Sequence, residues 1–429
     1  MSRLSKSLLA ALFVLFLAPG LAHAQTASIV GIVTDATGAV VPETTITARN
    51  TATNAVRTAV SNPAGVYSLP NLTPGVYDIT VEREGFTPVR FTAVTLTVSQ
   101  VLTLDVRIEV GAVVQLVEVS GEAVAVLDLA TAQVSNLVNQ RVISDLPLLL
   151  RDPYQLVTLS PGVVVTNSSL GGFAVNGSSE RRNNFLLDGT DNNDTSVPGI
   201  PSGATALNPD SVEEFRVITN NFSPEFGRNS GAIVDIITKS GANDLHGTLY
   251  WFGRYDALAA RDFFNQESSS DPFTRNQFGG SVGGPIVKDK TFWFFNTEIQ
   301  RFATTRTTSS VVPTAAFKAG LVRNPLDGSI IDLNNPADPH NIFGFTPNPL
   351  VQSILDSYPD PNGPDVVPGI TGLLFFPQKS KQESESYTVK VDHHITPNHT
   401  LSGRYTFNQN EDPNPFFAET IPGLDGIDT

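Results

Sequence analysis

The chain has 429 residues, enough for two or three domains. It contains no cysteine, which excludes a disulfide framework and a thiolate metal site. Its net charge of −15, with Lys and Arg scattered and Arg181-Arg182 the only basic doublet, argues against a nucleic-acid partner.

The N-terminus carries Arg3 and Lys6, an apolar run from Leu8 to Ala18, and Ala22-His23-Ala24 before Gln25. A basic start, a short apolar centre and an A-x-A site predict a secretory signal peptide over residues 1–24. The run is too short to span a bilayer as a helix, and no later segment approaches ~18 consecutive apolar residues. Spanning β-strands stay open, because they need only ~9–11 alternating residues.

Residues 25–110 are rich in Val, Thr, Gly and Pro, with turn signals at Ala36-Thr37-Gly38, Asn62-Pro63-Ala64-Gly65 and Thr73-Pro74-Gly75. Between them lie short alternating strands, ending in VLTLDVRIEV with Leu102, Leu104, Val106, Ile108 and Val110 on one face. This spacing predicts a small antiparallel β-sandwich. GIVTDATGAVVP (Gly31 to Pro42), Gly65-Val66-Tyr67, Leu72 to Tyr77 and Gly85-Phe86 resemble the carboxypeptidase-regulatory-like domain, a transthyretin-like sandwich. The resemblance implies an appendage without peptidase chemistry, with Tyr67 and Tyr77 packed at strand ends. By analogy with carbohydrate-binding sandwiches, it leaves weak glycan binding open.

Residues 111–126 read as an extended linker. Residues 127–239 mix helix and strand. Thr131 to Ser144 shows helical spacing at Val134, Leu137, Val138, Val142 and Ile143, ended by Leu146-Pro147. FLLDG (Phe185 to Gly189), the polar loop TDNNDTSVPG and VEEFRVIT follow, and a Gly-Arg-Asn-Ser-Gly turn leads to the β-rich run Ala232 to Thr238. The connector Lys239 to Asp244 then feeds an aromatic strand, Leu245 to Tyr255. This order is similar to the end of the plug domain of TonB-dependent outer-membrane receptors, where the plug leads into the first barrel strand. In that family a mobile strand after the N-terminal domain, the TonB box, binds TonB through its backbone. Leu116, Val117, Glu118, Val119 and Ser120 are the best local match, with an ordinary linker strand as the alternative.

From 243 to 429 the sequence alternates in several stretches: Leu245 to Tyr255, Gln277 to Val282, the aromatic-heavy Thr291 to Thr297, Ser386 to Asp392 and Leu401 to Asn408. The connectors alternate long and short: Asp256 to Arg275 is long, Val287 to Asp289 is a turn, Thr304 to Glu383 is very long, and Thr396 to His399 is a turn. Transmembrane barrels place short turns on one side and long loops on the other. Family barrels have 22 strands and a plugged lumen. About five strands are readable here, so the chain is expected to be the N-terminal part of a longer protein.

Asp188, Asp191 and Asp194, with Asn192 and Asn193 between them, read as a hydrated loop, a cation cradle lacking the EF-hand ligand order, or, if functional, a ligand-contacting plug loop. His393 and His394 point to opposite faces of a strand and His399 sits in a turn, so no metal site is expected. Glu213 and Glu214 are adjacent on a strand and cannot form a catalytic pair. No P-loop, G-x-S-x-G or H-E-x-x-H motif occurs, so no enzymatic site and no cofactor is expected.

The fold class expected is mainly β: a transthyretin-like sandwich, an α+β plug, then the first strands of an antiparallel transmembrane barrel. The pattern resembles Oar-like TonB-dependent receptors. That resemblance implies import across the outer membrane of a Gram-negative bacterium, with a periplasmic N-terminal domain and TonB, energised by ExbB and ExbD, as partner. Barrel strands would face lipid, and siderophore, oligopeptide and oligosaccharide all remain open as cargo. The alternative is a non-transporting surface or periplasmic binding protein whose sandwich recognises glycans.

Overall fold

The computed structural model describes residues 27–111, 117–120, 131–148, 151–166, 172–196, 204–227, 229–260, 272–324, 327–342, 348–397 and 399–411. The signal peptide expected over residues 1–24 and the end of the chain lie outside them. Two compact units are present. One holds the described residues up to Leu249 with Gly280–Glu298 and Ser386–Asn408; the other holds Tyr250–Gly279, Ile299–Glu385 and the described residues from Gln409.

The first unit begins with a sandwich of β1 (Ala27–Thr34), β2 (Thr45–Asn50), β3 (Val56–Val60), β4 (Val66–Leu72), β5 (Gly75–Glu82), β6 (Val89–Leu96), β7 (Val101–Thr103), β8 (Val106–Arg107) and β9 (Val117–Ser120). One sheet has the order β4-β1-β7, with β8 also beside β1; the other runs β3-β2-β5-β6-β9. Alternate residues such as Ala27, Ile29 and Val33 meet Ile46, Ile79, Val81 and Leu102 in a closed apolar core. Gly31 is fixed by space, because a Cβ there would lie 2.0 Å from the Leu104 carbonyl oxygen. Tyr67 is buried, and its hydroxyl donates to that same carbonyl at 2.6 Å.

The sandwich departs from pure antiparallel pairing. The β6 strand ends in a turn, Thr97 to Gln100, that carries the chain to the opposite sheet, so β7 and β8 pair parallel with β1. The long alternating run from Val101 also breaks in two. At the break, the Asp105 carboxylate accepts the Ile32 N–H at 3.0 Å, and Val110 is exposed.

A mixed module follows: β10 (Val134–Val138), α1 (Gln140–Asp145), β11 (Val163–Val165), β12 (Phe173–Val175), β13 (Asn184–Leu187), β14 (Thr190–Asp191), β15 (Val212–Asn220) and β16 (Ile233–Thr238). Its main sheet has the order β10-β15-β16-β13-β14, with β13 and β16 parallel. The single helix expected over Thr131 to Ser144 is a strand and a short helix. Val134 to Val138 adds antiparallel to β15, and Asn139 caps α1 by accepting the Val142 N–H. Sheet pairing overrides the helical spacing there, because β-branched residues suit an open sheet edge. Phe185 anchors the core, edge-to-face with Tyr154 at 5.7 Å and Phe173 at 5.8 Å.

The remaining long strands are β17 (His246–Tyr255), β18 (Phe273–Val287), β19 (Thr291–Pro313), β23 (Thr371–Thr396) and β24 (His399–Glu411). Short β20 (Leu321–Arg323), β21 (Ile330–Asp332) and β22 (Asp365–Val367) lie between β19 and β23, with helices α2 (Ala315–Lys318) and α3 (Pro349–Ser357). The sheet order is β17-β18-β19-β23-β22, with β24 also paired to β23. Tight connections at Lys288 to Lys290 and after Thr396 make β18–β19 and β23–β24 hairpins.

The very long loop expected from Thr304 to Glu383 is shorter, and its described residues include strands and helices. The β19 strand continues to Pro313 and β23 begins at Thr371, and both extend well past the ~9–11 residues a membrane requires. Their middle stretches, rich in Thr, Ser, Lys and Glu, carry little apolar alternation, and the apolar residues at the outer ends come in unbroken runs, Val311-Val312 and Leu373 to Phe376. Within the second unit, Val312, Leu374 and Phe376 form a small cluster with Tyr358.

Candidate functional site

Asp188 and Gly189 form a two-residue turn between β13 and β14, both with positive φ (46° and 79°). Asp-Gly is favoured in such primed turns, since both central residues must tolerate that conformation. The turn directs the Asp188 carboxylate to the end of β16 and to strands β23 and β24. Thr238 donates its N–H at 2.9 Å and its hydroxyl at 2.6 Å. Lys390 Nζ lies 3.5 Å away, and Arg404 Nη1 pairs with the other carboxylate oxygen. Lys390 also donates to the Thr238 carbonyl at 3.1 Å. Burial alone would raise the Asp188 pKa; Lys390, Arg404 and the Thr238 donors outweigh it and hold the carboxyl below its ordinary value.

Three more polar contacts join the mixed module to the long strands. Arg151 pairs with Asp210 and, through Nε at 3.1 Å, with Glu298 of β19. Asn208 Nδ2 donates to buried Asn296 of β19 at 2.6 Å. Asn408 of β24 donates to the Ala206 carbonyl at 3.0 Å. The connector after β16 is equally tight. A Cβ on Gly241 would meet the Trp293 carbonyl oxygen at 2.3 Å and that of Gly284 at 2.7 Å.

The polar loop read from sequence as one cluster is divided by the fold. Asp188 is an ion-paired carboxylate, not a hydrated one. Asn192 is buried, accepting the Thr205 N–H and donating to the Thr205 carbonyl and the Tyr154 hydroxyl. Asn193 accepts the Phe185 N–H and donates to Asn184 and Asp191. Asp194 caps Ser196, and Asp191 lies exposed at the end of the hairpin. Among the described residues, no three His, Asp or Glu side chains are grouped to hold a metal ion. His393, His394 and His399 instead bond separately to Thr291, Thr400 and Thr396.

The TonB-box candidate is an edge strand of the sandwich, not an extended linker. Val117 to Ser120 pairs parallel with Val89 to Thr92, and Val119 packs against the sandwich core. Leu116 lies outside the described residues. Sequence reading missed Arg151, Glu298, Lys390 and Arg404. The signal available was a cation at polar-face positions of two alternating strands, Lys390 and Arg404, where only a buried partner could balance it.

Residues 28–109 match the carboxypeptidase regulatory-like domain, and residues 237–429 match an outer membrane beta barrel domain. The chain is 28% identical over 307 residues to the TonB-dependent transporter Oar of Myxococcus xanthus, covering 68% of this chain and 28% of that protein. It therefore spans little more than a quarter of that relative. Among solved structures, the outer membrane transporter YddB of Escherichia coli shares 15% identity at a TM-score of 0.40, over 64% of this chain and 33% of that one. The ferric enterobactin receptor of Pseudomonas aeruginosa also shares 15% identity, at 0.38, over 66% and 34%.

Proposed function

We propose that this chain, similar to the TonB-dependent transporter Oar and carrying an outer membrane beta barrel domain match, is part of an Oar-like TonB-dependent receptor and forms the gate of an importer. In this reading the mixed module is the plug, residues 127–239, and the barrel begins at about residue 243. Substrate binds the external loops and the plug apex, with Asp191 and Asp194 the surface carboxylates of the plug loop. TonB, energised by ExbB and ExbD, pulls on the segment around Leu116 to Ser120 on the periplasmic side. The plug then shifts or partly unfolds. Cargo of the siderophore, oligopeptide or oligosaccharide class fits this route.

The observation that carries the proposal is the polar character of the plug–strand contacts. Asp188 with Lys390 and Arg404, Arg151 with Glu298, and Asn208 with Asn296 hold the plug, while the plug's apolar core closes on itself. Ionic contacts can be exchanged for water as the plug moves, whereas a shared apolar core would oppose release. The test is deletion of Leu116 to Ser120 from the full-length receptor. Ligand binding is expected to persist while uptake is lost; unchanged uptake overturns the TonB-box assignment.

A further inference from the structure

The β15 strand is covered on both faces. Phe215 and Val217 enter the plug core, while Glu214 and Arg216 on the other face are buried against the sandwich turn Thr97 to Gln100. Arg216 donates through Nε to the Val98 carbonyl at 2.7 Å, and through its two Nη atoms to Thr97 Oγ1 and Ser135 Oγ, each at 2.8 Å. Glu214 accepts the Val98 N–H. Asp235, opposite Arg216 in the β15–β16 register, accepts the Ser99 hydroxyl at 2.6 Å. Both peptide groups of Val98 are thus gripped by charged side chains.

The charge in this clamp does not balance. Asp235 is 0% exposed, and its Oδ1 has no hydrogen-bond partner among the described residues. Two buried carboxylates, Glu214 and Asp235, face one guanidinium. Glu213 lies beside Glu214 on β15, and Asp188 adds negative charge from the neighbouring turn, where Lys390 and Arg404 already engage it. Lys239 acts on Glu213. The sandwich turn brings only Thr97, Val98, Ser99 and Gln100, none of them a cation.

We propose that closing this clamp takes up protons, so that the sandwich docks on the plug in acid and is released as the surroundings become alkaline. Burial lifts both carboxyls to about 7, with Glu213 adding to the effect on Glu214, and Asp188 and Glu214 adding to that on Asp235. Groups raised in the docked state favour docking fully below their free values near 4. That contribution falls as pH climbs and levels off above the docked values, by up to about tenfold in the docking constant per pH unit for each carboxylate. The periplasm-facing clamp would then couple plug access to the acidity around it. The inference rests on this seam and needs no transport, so its failure leaves the gating proposal standing.

These 429 residues contain no cysteine, so the two labels are their only thiols once any cysteine elsewhere in the full-length receptor is replaced by serine. Spin labels at Thr58→Cys on the sandwich and Glu225→Cys on the plug report their separation by pulsed dipolar spectroscopy in the full-length receptor. One narrow distance is expected at pH 5, with a second, broader population growing toward pH 8. Glu214→Gln with Asp235→Asn is expected to keep the narrow distance at every pH. A distribution unchanged between pH 5 and 8 overturns the proposal, as does a doubly substituted receptor that still responds to pH. Near-native circular dichroism of that variant guards against misfolding; if it fails to fold, Asp235→Asn alone, expected to respond less steeply than the unsubstituted receptor, decides the question.

Discussion

Replacing Asp188 by Ala should loosen the plug more than any other single change at its contact with the strands. Lys390 and Arg404 would be left facing each other, with side chains only 9% and 18% exposed. Thr238 would lose the acceptor for both its N–H and its hydroxyl. Removing one partner of a buried ion pair costs about 3–5 kcal/mol, because the remaining charge stays desolvated. At 1.4 kcal/mol per power of ten, the released population should rise by roughly two to three and a half powers of ten. A single cysteine at buried Val212, labelled with maleimide as urea rises, reads plug opening in the full-length receptor. Asp188→Leu with Lys390→Met and Arg404→Met should return the midpoint to that of the unsubstituted protein or beyond, since apolar replacement of a whole buried pair is often neutral or stabilising. A loss below about 1 kcal/mol, or the same loss when both cations are already Met, would refute the ion-pair account. The pH sign is fixed as well. With its pKa held down, Asp188 supports the plug fully above about pH 4 and loses that contribution only as pH falls through its lowered value.

Gly241→Ala should impair assembly, because its Cβ would collide with backbone at Trp293 and Gly284 and no side chain can give way; the fraction of heat-modifiable, folded receptor in outer membranes measures this. Tyr67→Phe removes the bond to the Leu104 carbonyl, and hydrogen exchange of β1 and β7 should show the sandwich weakened by about 1–2 kcal/mol. Leu249 is 93% exposed and Trp251 63%, as lipid-facing residues would be. Leu249→Arg should therefore cost about 2–4 kcal/mol if it sits mid-bilayer, falling toward about 0–1 near an interface, measured by refolding into lipid vesicles. No change at Leu249 together with a loss at a polar-face position such as Thr248 would reverse the assignment of faces.

Local chemistry made much of this fold readable. Gly31 is dictated by the Leu104 carbonyl, Asp188-Gly189 by the turn it closes, and the Leu245 to Tyr255 alternation coincides with the strand β17. What escaped depends on contacts distant in sequence. Val134 to Val138 carries helical spacing, yet β15 recruits it as a strand, and no local pattern reveals the partner. The Thr-, Ser-, Lys- and Glu-rich stretches of β19 and β23 carry little apolar alternation and look like loop. The site divided in the same way. Asp188 stood out as one of a polar run, but its role came from Lys390 and Arg404, more than 200 residues away. Glu214 and Arg216 carried a usable signal: charged residues alternating with Phe215 and Val217 in a short strand imply a second, polar partner surface.

The distribution of apolar and polar contacts bears directly on what can move. The sandwich core draws on Ala27 through Ile108 with Val119, and the plug core on Val138 through Ile236, and neither cluster includes residues of the other. The described contacts of Thr97 to Gln100 with the plug are hydrogen bonds to Glu214, Arg216 and Asp235, just as those of Asp188 and Arg151 with the strands are polar. Separating such surfaces exposes charge that water can solvate, whereas opening either core would expose apolar surface at about 25 cal/mol per Å². Force or a change in protonation should therefore part the modules along these seams before it unfolds them. The two seams also answer acid in opposite directions. Acid weakens Asp188's hold on Lys390 and Arg404 and strengthens the grip of Glu214 and Asp235 on Val98 and Ser99. Between about pH 4 and 7 the strand seam keeps its full strength while the clamp on Val98 and Ser99 weakens. The sandwich is then held by contacts such as Asn54 to Asp289 and Asn243 to the Ala52 carbonyl, so of the two seams the clamp opens first.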